Sequence, residues 1–155
     1  MPVEIPKESW SGTVRTITLG ATAAEGGTRT QTVVVGGERT LPYLHYEAST
    51  PHRPAIALEI RDRRPDDWSP ILINTWESVI DDPGAWAKAG EDLGVNLIQL
   101  SLSLTLEDGS PNTPAAAVSA VKKVLASTGL PWVVFGPGQP DLDTELIVAV
   151  AEAPH

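Results

Sequence analysis

Four small residues at the ends of two predicted strands are the positions at which this chain could bind a ligand: Ser103, Thr105, Gly136 and Gly138. Hydroxyls at a strand end can face a bound group, and a glycine turn before a helix lets backbone amides approach a phosphate or an amide. The turn lacks the three-glycine spacing of a dinucleotide site and the lysine of a P-loop. Its use as an ordinary strand-to-helix turn, and packing of the small strand residues, are therefore competing interpretations.

Carboxylates are frequent in the middle of the chain, but their spacing does not indicate catalysis or a metal site. Glu59 lies in an otherwise apolar strand, where it needs a partner or a cavity to face, and a structural salt bridge is the favoured account. Six others fit a helix cap and solvated loops better than an EF-hand: Asp62, Asp66, Asp67, Glu77, Asp81 and Asp82. We therefore assign no catalytic residue and no metal ligand.

Composition narrows the class of protein. With 155 residues and 41% hydrophobic content, the chain suits one domain with a real core. Its formal net charge of −9 argues against nucleic acid or an anionic membrane surface as a partner. It has no cysteine, which excludes disulfides and iron–sulfur ligands within the chain, and His45, His52 and His155 show no metal-ligand spacing. The sequence has no signal peptide and no apolar run of ~20 residues, so it predicts a cytoplasmic protein.

Strands and helices alternate from residue 54 onward. Apolar runs predict strands over 55–60, 95–104 and 132–135. Helices are predicted from Asp82-Pro83, Thr113-Pro114 and Pro140, each with a cap or a proline at its start. This order is typical of an α/β fold with a parallel sheet.

Three details refine this prediction. In the first of these helices, Trp86, Gly90 and Leu93 recur at helical spacing and form its predicted apolar face. Trp76 and Trp86 are expected in the core. The run Ile71–Trp76 fits either a short strand or a covering turn.

The first 53 residues have a different pattern. Segments 12–19 and 31–35 are rich in β-branched residues and predict a β-hairpin, and 41–47 predicts an extended arm. We therefore divide the chain into residues 1–53, the hairpin and arm, and 54–155, the βα part. A hairpin alone has too little core to stand by itself, so it must lie on the body of the domain or on a partner.

Three ordered stretches carry a resemblance to a known family. They are Val35-Gly-Gly-Glu-Arg-Thr-Leu-Pro-Tyr43 before Pro54–Glu59, Asp81–Lys88 with Leu93–Ile98, and Pro131–Gly138 with Asp143 and Val150–Glu152. Together they resemble the small (delta) subunit of the corrinoid iron–sulfur protein in the acetyl-CoA decarbonylase/synthase complex. The resemblance covers nearly the whole chain and the N-terminal half of the family's length. It implies a hairpin followed by the first βα units of a TIM-type (β/α)8 barrel.

The resemblance also implies a role. Such a subunit helps a larger subunit enclose cobalamin, which carries a methyl group from a methyltetrahydropterin methyltransferase to acetyl-CoA synthase. The iron–sulfur cluster belongs to the larger subunit, and the hairpin leans on that partner. The four residues Ser103, Thr105, Gly136 and Gly138 would then lie near the corrinoid. Pro137 departs from the family pattern, which favours a smaller residue or a cysteine there, so the resemblance does not define the shape of this loop.

Two further functions stay open. One is a pterin-dependent methyltransferase barrel, whose pocket needs an Asp and an Asn at strand ends. The other is an interaction module without catalytic activity, whose hairpin exchanges onto a neighbouring copy.

Overall fold

The computed structural model describes residues 12–39 and 50–153. The predictions for segment 41–47, His45 and His155 lie outside these ranges. In chain order the elements are β1 (Ile17–Leu19), β2 (Val33–Val35), β3 (Ala57–Arg61), α1 (Pro70–Trp76), α2 (Pro83–Asp92), β4 (Leu97–Ser101), α3 (Pro114–Ser127), β5 (Trp132–Phe135) and α4 (Pro140–Glu152). A short 3₁₀ turn, Ala23–Glu25, lies between β1 and β2.

β3, β4 and β5 form one parallel sheet in that order, which confirms the predicted α/β class and order of strands. β4 ends at Ser101 rather than at residue 104. The chain turns there because the amide of Ser103 donates to the carboxylate of Asp62 at 2.9 Å. The described strands form an open sheet, so the barrel that the resemblance implies stays a prediction.

The helices start where their capping residues predict. The Asp82 side chain accepts a hydrogen bond from the Gly84 amide at 2.8 Å, and Thr113 accepts one from the Ala116 amide at 3.3 Å. Each cap satisfies an amide that has no partner within its helix, and a proline occupies the first turn of both helices.

One hydrophobic core joins the helices to the sheet. α2, α3 and α4 pack side by side, and their buried residues meet alternate residues of β3 and β4. Trp86 is fully buried, with its ring 5.4 Å from Trp68 and 5.9 Å from Trp76. The expectation is thus confirmed for Trp86, whereas Trp76 is partly buried and packs against the core. The residues of the core cluster are Ile60, Ile80, Trp86, Ala87, Ile98, Leu100, Leu102, Ala117, Ala120, Val121, Val124, Leu130, Leu146 and Val150.

Two local predictions are wrong. Ile71–Trp76 is neither a strand nor a turn but part of helix α1, which begins with Pro70 after an extended Ser69. Its apolar residues misled the prediction because Ile71 is 78% exposed and does not mark a buried strand. Leu93 is 69% exposed because α2 ends at Asp92, so Leu93 lies beyond the packed part of the helix.

The hairpin lies on the body of this same chain. β1 and β2 pair antiparallel, with Ile17 opposite Val35, which confirms the predicted hairpin. The segment just before β2 then contacts the turns that precede β4 and β5. The Thr30 amide donates to the Gly129 carbonyl at 2.9 Å, and the Gln31 side chain donates to the Asn96 carbonyl at 3.2 Å. The hairpin thus covers the amino-terminal end of the sheet.

Candidate functional site

The carboxyl-terminal ends of the three parallel strands meet at one edge of the sheet. Arg61 lies in register with Ser101, and Ser101 in register with Phe135, so the loops that follow β3, β4 and β5 begin side by side. In parallel α/β proteins this is the edge at which ligands bind. We call this edge the strand-end rim, which comprises residues 61–66, 101–113 and 135–139.

Asp62 connects the first two loops of the rim. It follows β3 directly, and its carboxylate accepts hydrogen bonds from the Ser103 amide at 2.9 Å and from the Asn112 side chain at 2.8 Å. A charged acceptor makes these stronger than neutral hydrogen bonds. Asp62 lies in a loop as predicted, but it is half-buried rather than solvated, and its two oxygens hold the beginning and the end of the loop between β4 and α3.

Asn112 completes this arrangement. It is 3% exposed, and its amide group donates both to Asp62 and to the Ser103 carbonyl at 2.8 Å. Its side-chain oxygen accepts from the Thr113 amide at 2.8 Å, at the residue that caps α3. Both side-chain hydrogens of Asn112 are thus engaged within the chain, as burial of an amide requires.

Between these anchors the loop forms a small hairpin of its own. Thr105 and Pro111 form an isolated antiparallel bridge, and the Leu106 amide donates to the Ser110 carbonyl at 2.8 Å. At the tip, the hydroxyl and amide of Ser110 both donate to Asp108, and these bonds lower the pKa of the Asp108 carboxyl. The loop from Leu102 to Thr113 therefore has a defined shape.

The third loop of the rim is held by Asp143 of α4. Its Oδ1 atom accepts hydrogen bonds from the amides of Gly138 at 3.0 Å and Gln139 at 3.2 Å. Gly138 has φ of +87°, a conformation that glycine adopts without strain. The amides that could have approached a phosphate are occupied by this carboxylate, which favours the interpretation of 136–140 as a strand-to-helix turn.

Arginines and carboxylates surround the loop after β3. Glu59 forms the predicted salt bridge, with Arg61 Nε 3.3 Å from its Oε1. Arg64 lies between the carboxylates of Glu77 and Asp81, which raise the pKa of Arg64 through hydrogen bonds, that of Glu77 first. Each of these charges has an opposite charge beside it, so the arrangement favours structure over reactivity.

Two shallow cavities lie between this loop and the loop after β4. One, of about 350 Å³, is lined by Asp62, Arg63, Thr105, Leu106, Glu107 and Asp108. The other, of about 440 Å³, shares Arg63 and Glu107 with it. They are grooves of the rim rather than enclosed sites.

The structure gathers the four predicted site residues on two neighbouring loops. Ser103 is buried beside Asp62, whereas Thr105 is half-buried and lines the first groove. Gly136 is half-buried and Gly138 is exposed on the adjacent loop. No ligand contact tests them, so their role stays a prediction.

The pairing of Asp62 with Asn112 was not predicted from the sequence. Two local signals could have indicated it. Asp62 is the first residue after a strand, and Asn112 stands directly before a helix cap, both positions at which short polar side chains bind backbone groups.

Two negative findings concern residues 12–39 and 50–153 only. No group of three or more histidine, aspartate or glutamate side chains in these ranges is placed to hold a metal ion. None of their helices is both long and apolar enough to cross a membrane.

Comparison with known proteins identifies the family. The sequence model of the CO dehydrogenase/acetyl-CoA synthase delta subunit matches residues 16–154. The chain belongs to this family. It is 38% identical over 148 residues to the acetyl-CoA decarbonylase/synthase complex subunit delta of Archaeoglobus fulgidus, an alignment that covers 94% of this chain and 32% of the relative.

Other delta subunits agree. Identity to subunit delta 1 of Methanosarcina thermophila is 31% over 145 residues, 92% of this chain and 33% of that protein. Identity to the delta subunit of Methanopyrus kandleri is 32% over 143 residues, 91% of this chain and 35% of the relative. The chain therefore spans about a third of the length of these curated relatives, a smaller share than the half that the resemblance implied.

Proposed function

We propose that this chain is a non-catalytic part of a small subunit that helps enclose a corrinoid in a methyl-transfer complex. The observation that carries the proposal is the match to the delta-subunit family over residues 16–154. In this proposal the larger corrinoid iron–sulfur subunit is the stable partner. A methyltransferase and acetyl-CoA synthase bind this complex transiently, and the complex is cytoplasmic.

The chemistry of the strand-end rim fits such a group. A corrin ring carries amide side chains at its periphery, which hydroxyls and backbone groups can bind. Thr105, which is half-buried and lines a groove, would lie nearest to it, and Ser103 would support it from below. The glycine turn at 136–138 would lie beside it as a close-packed surface, because the Gly138 amide is already bonded to Asp143. The corrinoid supplies the metal that carries the methyl group, whereas the residues of this chain bind, orient and exclude water.

The fold supports a barrel in the same proposal. β3 and β5 are the two outer strands of the described sheet, so each has one side free to pair with a further strand. The larger curated relatives have more chain with which to provide such strands. We propose that residues 54–155 are part of a TIM-type barrel and that residues 1–53 form its amino-terminal cover.

A pair of surface substitutions tests the proposed partner. Phe135 on the rim is 55% exposed, and Leu93, at the opposite end of the strands, is 69% exposed. This chain, mixed anaerobically with the larger subunit, should be retained together with a corrinoid spectrum and iron. Phe135→Arg should abolish retention, whereas the matched control Leu93→Arg should leave it unchanged. Equal retention of both variants would contradict a contact through the rim.

One observation favours the methyltransferase as a second candidate. Asp62 directly follows β3, and Asn112 reaches it from the end of the loop between β4 and α3, so an Asp and an Asn meet at the strand-end rim, as a pterin pocket would need. Their polar atoms are engaged with each other and with the loop, which leaves neither amide hydrogen of Asn112 for a pterin. Methyl transfer from methyltetrahydrofolate by the isolated protein would favour this candidate. A symmetric homodimer without ligand dependence would instead favour an interaction module.

A further inference from the structure

The loop between β4 and α3 has more internal order than a connection requires. At its base, the Asp62 carboxylate accepts hydrogen bonds from the backbone amide of Ser103 and from the side chain of Asn112. The backbone amide of Asn112 donates to the Leu104 carbonyl at 3.0 Å. Toward the tip, the Leu106 amide donates to Ser110 and the Gly109 amide to Leu106. The loop is thus hydrogen-bonded from base to tip, on a base fixed to the neighbouring strand.

This ordered loop presents an apolar side chain to solvent. Leu104 is 42% exposed. The loop leaves the sheet beside Phe135, whose carbonyl accepts from the Leu102 amide at 2.8 Å, and Phe135 is itself exposed. Two large apolar side chains therefore stand at the same end of the sheet on rigid backbone. A surface that is already ordered loses less conformational entropy on binding than a mobile loop does.

We propose that loop 102–113 is the preformed element through which this chain contacts the larger subunit, and that Asp62 is its positioning residue. The inference rests on the proposed function and adds to it a surface and a residue. Asp62 does not touch the partner. It acts through Ser103 and Asn112, which set the direction in which Leu104 and the tip of the loop point.

The charge of the loop indicates the chemistry of the partner surface. Residues 102–113 contain Glu107 and Asp108, both exposed, and no lysine or arginine. The neighbouring arginines, Arg63 and Arg64, already pair with carboxylates of this chain. The complementary surface is therefore a protein face with an apolar centre for Leu104 and basic side chains around it. Attraction between the acidic loop and basic side chains of the partner is screened by salt, so association should become slower as ionic strength rises.

The test measures loop order and binding separately. In the whole chain, Asp62→Ala should accelerate hydrogen exchange at Leu106 and Asn112 while exchange in α2 stays unchanged. Its affinity for the larger subunit should fall about tenfold, the effect of losing ~1.4 kcal/mol. Asp67→Ala, which removes an exposed carboxylate from the same segment, is the control and should change neither quantity.

Two further variants keep the test decisive if Asp62→Ala does not fold. Asp62→Asn keeps an oxygen acceptor for the Ser103 amide but loses the charge-assisted bond with Asn112, so it should loosen the loop and weaken binding less than Asp62→Ala does. Leu104→Asp leaves the hydrogen bonds of Asp62 to Ser103 and Asn112 intact, so it should weaken binding of the larger subunit while hydrogen exchange in the loop stays unchanged.

The possible outcomes distinguish the loop contact, the positioning role of Asp62 and the proposed function. A loosened loop with unchanged affinity would overturn the inference and leave the proposed function standing. An unchanged loop in Asp62→Ala would overturn the positioning role. Failure of the unsubstituted chain to bind the larger subunit would overturn the proposed function and the inference with it.

Discussion

The guanidinium of Arg29 donates a hydrogen bond to the carbonyl of Thr128 at 2.8 Å, across 99 residues of sequence. A second guanidinium nitrogen donates to the Leu125 carbonyl at 3.3 Å. The last carbonyls of a helix have no donors within it, and a cation is favourable at that end. An arginine of the hairpin segment thus caps α3 and ties the hairpin to the body.

Loss of this arginine should weaken the attachment of the hairpin and lower the stability of the protein. Burial lowers the pKa of Arg29, an effect that nearby Glu91 opposes, so the guanidinium is a partly desolvated cation with specific partners. Arg29→Met keeps most of the apolar stem but leaves carbonyls of α3 unpaired, which should lower the free energy of unfolding by about 1–3 kcal/mol. Urea denaturation measures this loss of stability, and Arg15→Met, at an exposed position, is the control. Equal losses in both variants would contradict a specific cap.

Trp86 should tolerate phenylalanine better than its burial suggests. It is fully buried, and its ring contacts two other tryptophans. Among the described residues its Nε1 atom has no hydrogen-bond partner, so Trp86→Phe removes an unsatisfied donor along with part of the ring. We expect a loss of about 1–2 kcal/mol, against about 3–5 for Trp86→Ala.

Circular dichroism during urea titration tests this without relying on tryptophan fluorescence. Leu93→Ala, at an exposed position, should change stability by less than about 0.5 kcal/mol. A loss in Trp86→Phe as large as that in Trp86→Ala would mean that the unsatisfied donor has no energetic effect.

Glu91 should make stability depend on pH in the acid range. Its carboxylate binds Lys88 at 2.9 Å and the Gly129 amide at 3.2 Å. The bond to Lys88 lowers the pKa of Glu91 most, burial opposes it, and the Gly129 amide lowers it further. Because the folded pKa lies below the unfolded value of about 4.5, this stabilisation is present above that value and is lost as pH falls through the folded pKa.

The difference between wild type and Glu91→Gln isolates this contribution from the other carboxylates. The variant should be less stable at neutral pH, and the gap should close as the pH falls below the folded pKa. Glu145→Gln, an exposed carboxylate on α4, serves as the control. A gap that stays constant with pH would mean that Glu91 acts through packing alone.

The turn after β5 should depend on Asp143 and Gly136 together. Asp143→Ala leaves the amides of Gly138 and Gln139 without their acceptor, which should cost about 1 kcal/mol. A Cβ at Gly136 would stand 2.6 Å from the Asp143 Oδ1 atom, so Gly136→Ala should displace the same carboxylate.

The double variant distinguishes this coupling from independent damage. Both substitutions disrupt the same interaction, the hydrogen bonds of the Asp143 carboxylate to the turn. The double variant Gly136→Ala with Asp143→Ala should therefore lose clearly less stability than the sum of the two single variants. Thermal unfolding of the four proteins gives the comparison, and simple additivity would contradict it.

The sequence predicted the features that depend on neighbouring residues. Asp82-Pro83 and Thr113-Pro114 start helices because a cap and a proline act locally, and alternation of the elements gave the parallel sheet. The prediction failed at Leu93, whose spacing continues that of Trp86 although the packed face has ended. Spacing alone cannot show where a neighbouring element stops.

The candidate site was predictable only in its location. Strand ends follow from the order of the elements, so Ser103, Thr105, Gly136 and Gly138 do lie on one rim. The contacts that shape the rim join residues far apart in sequence, such as Asp62 and Asn112, 50 residues apart. Their pairing depends on how β3 and β4 align, which no local pattern specifies.

The attachment of the hairpin to the end of α3 also constrains the order in which the chain assembles. Each parallel pair joins strands that are consecutive in the body, whereas the Arg29 contact closes a loop of about a hundred residues. Long loop closure carries a larger entropic cost and slows folding. The βα body should therefore fold first and the hairpin should dock last. The hairpin should also be the first part to separate from the body under mildly denaturing conditions.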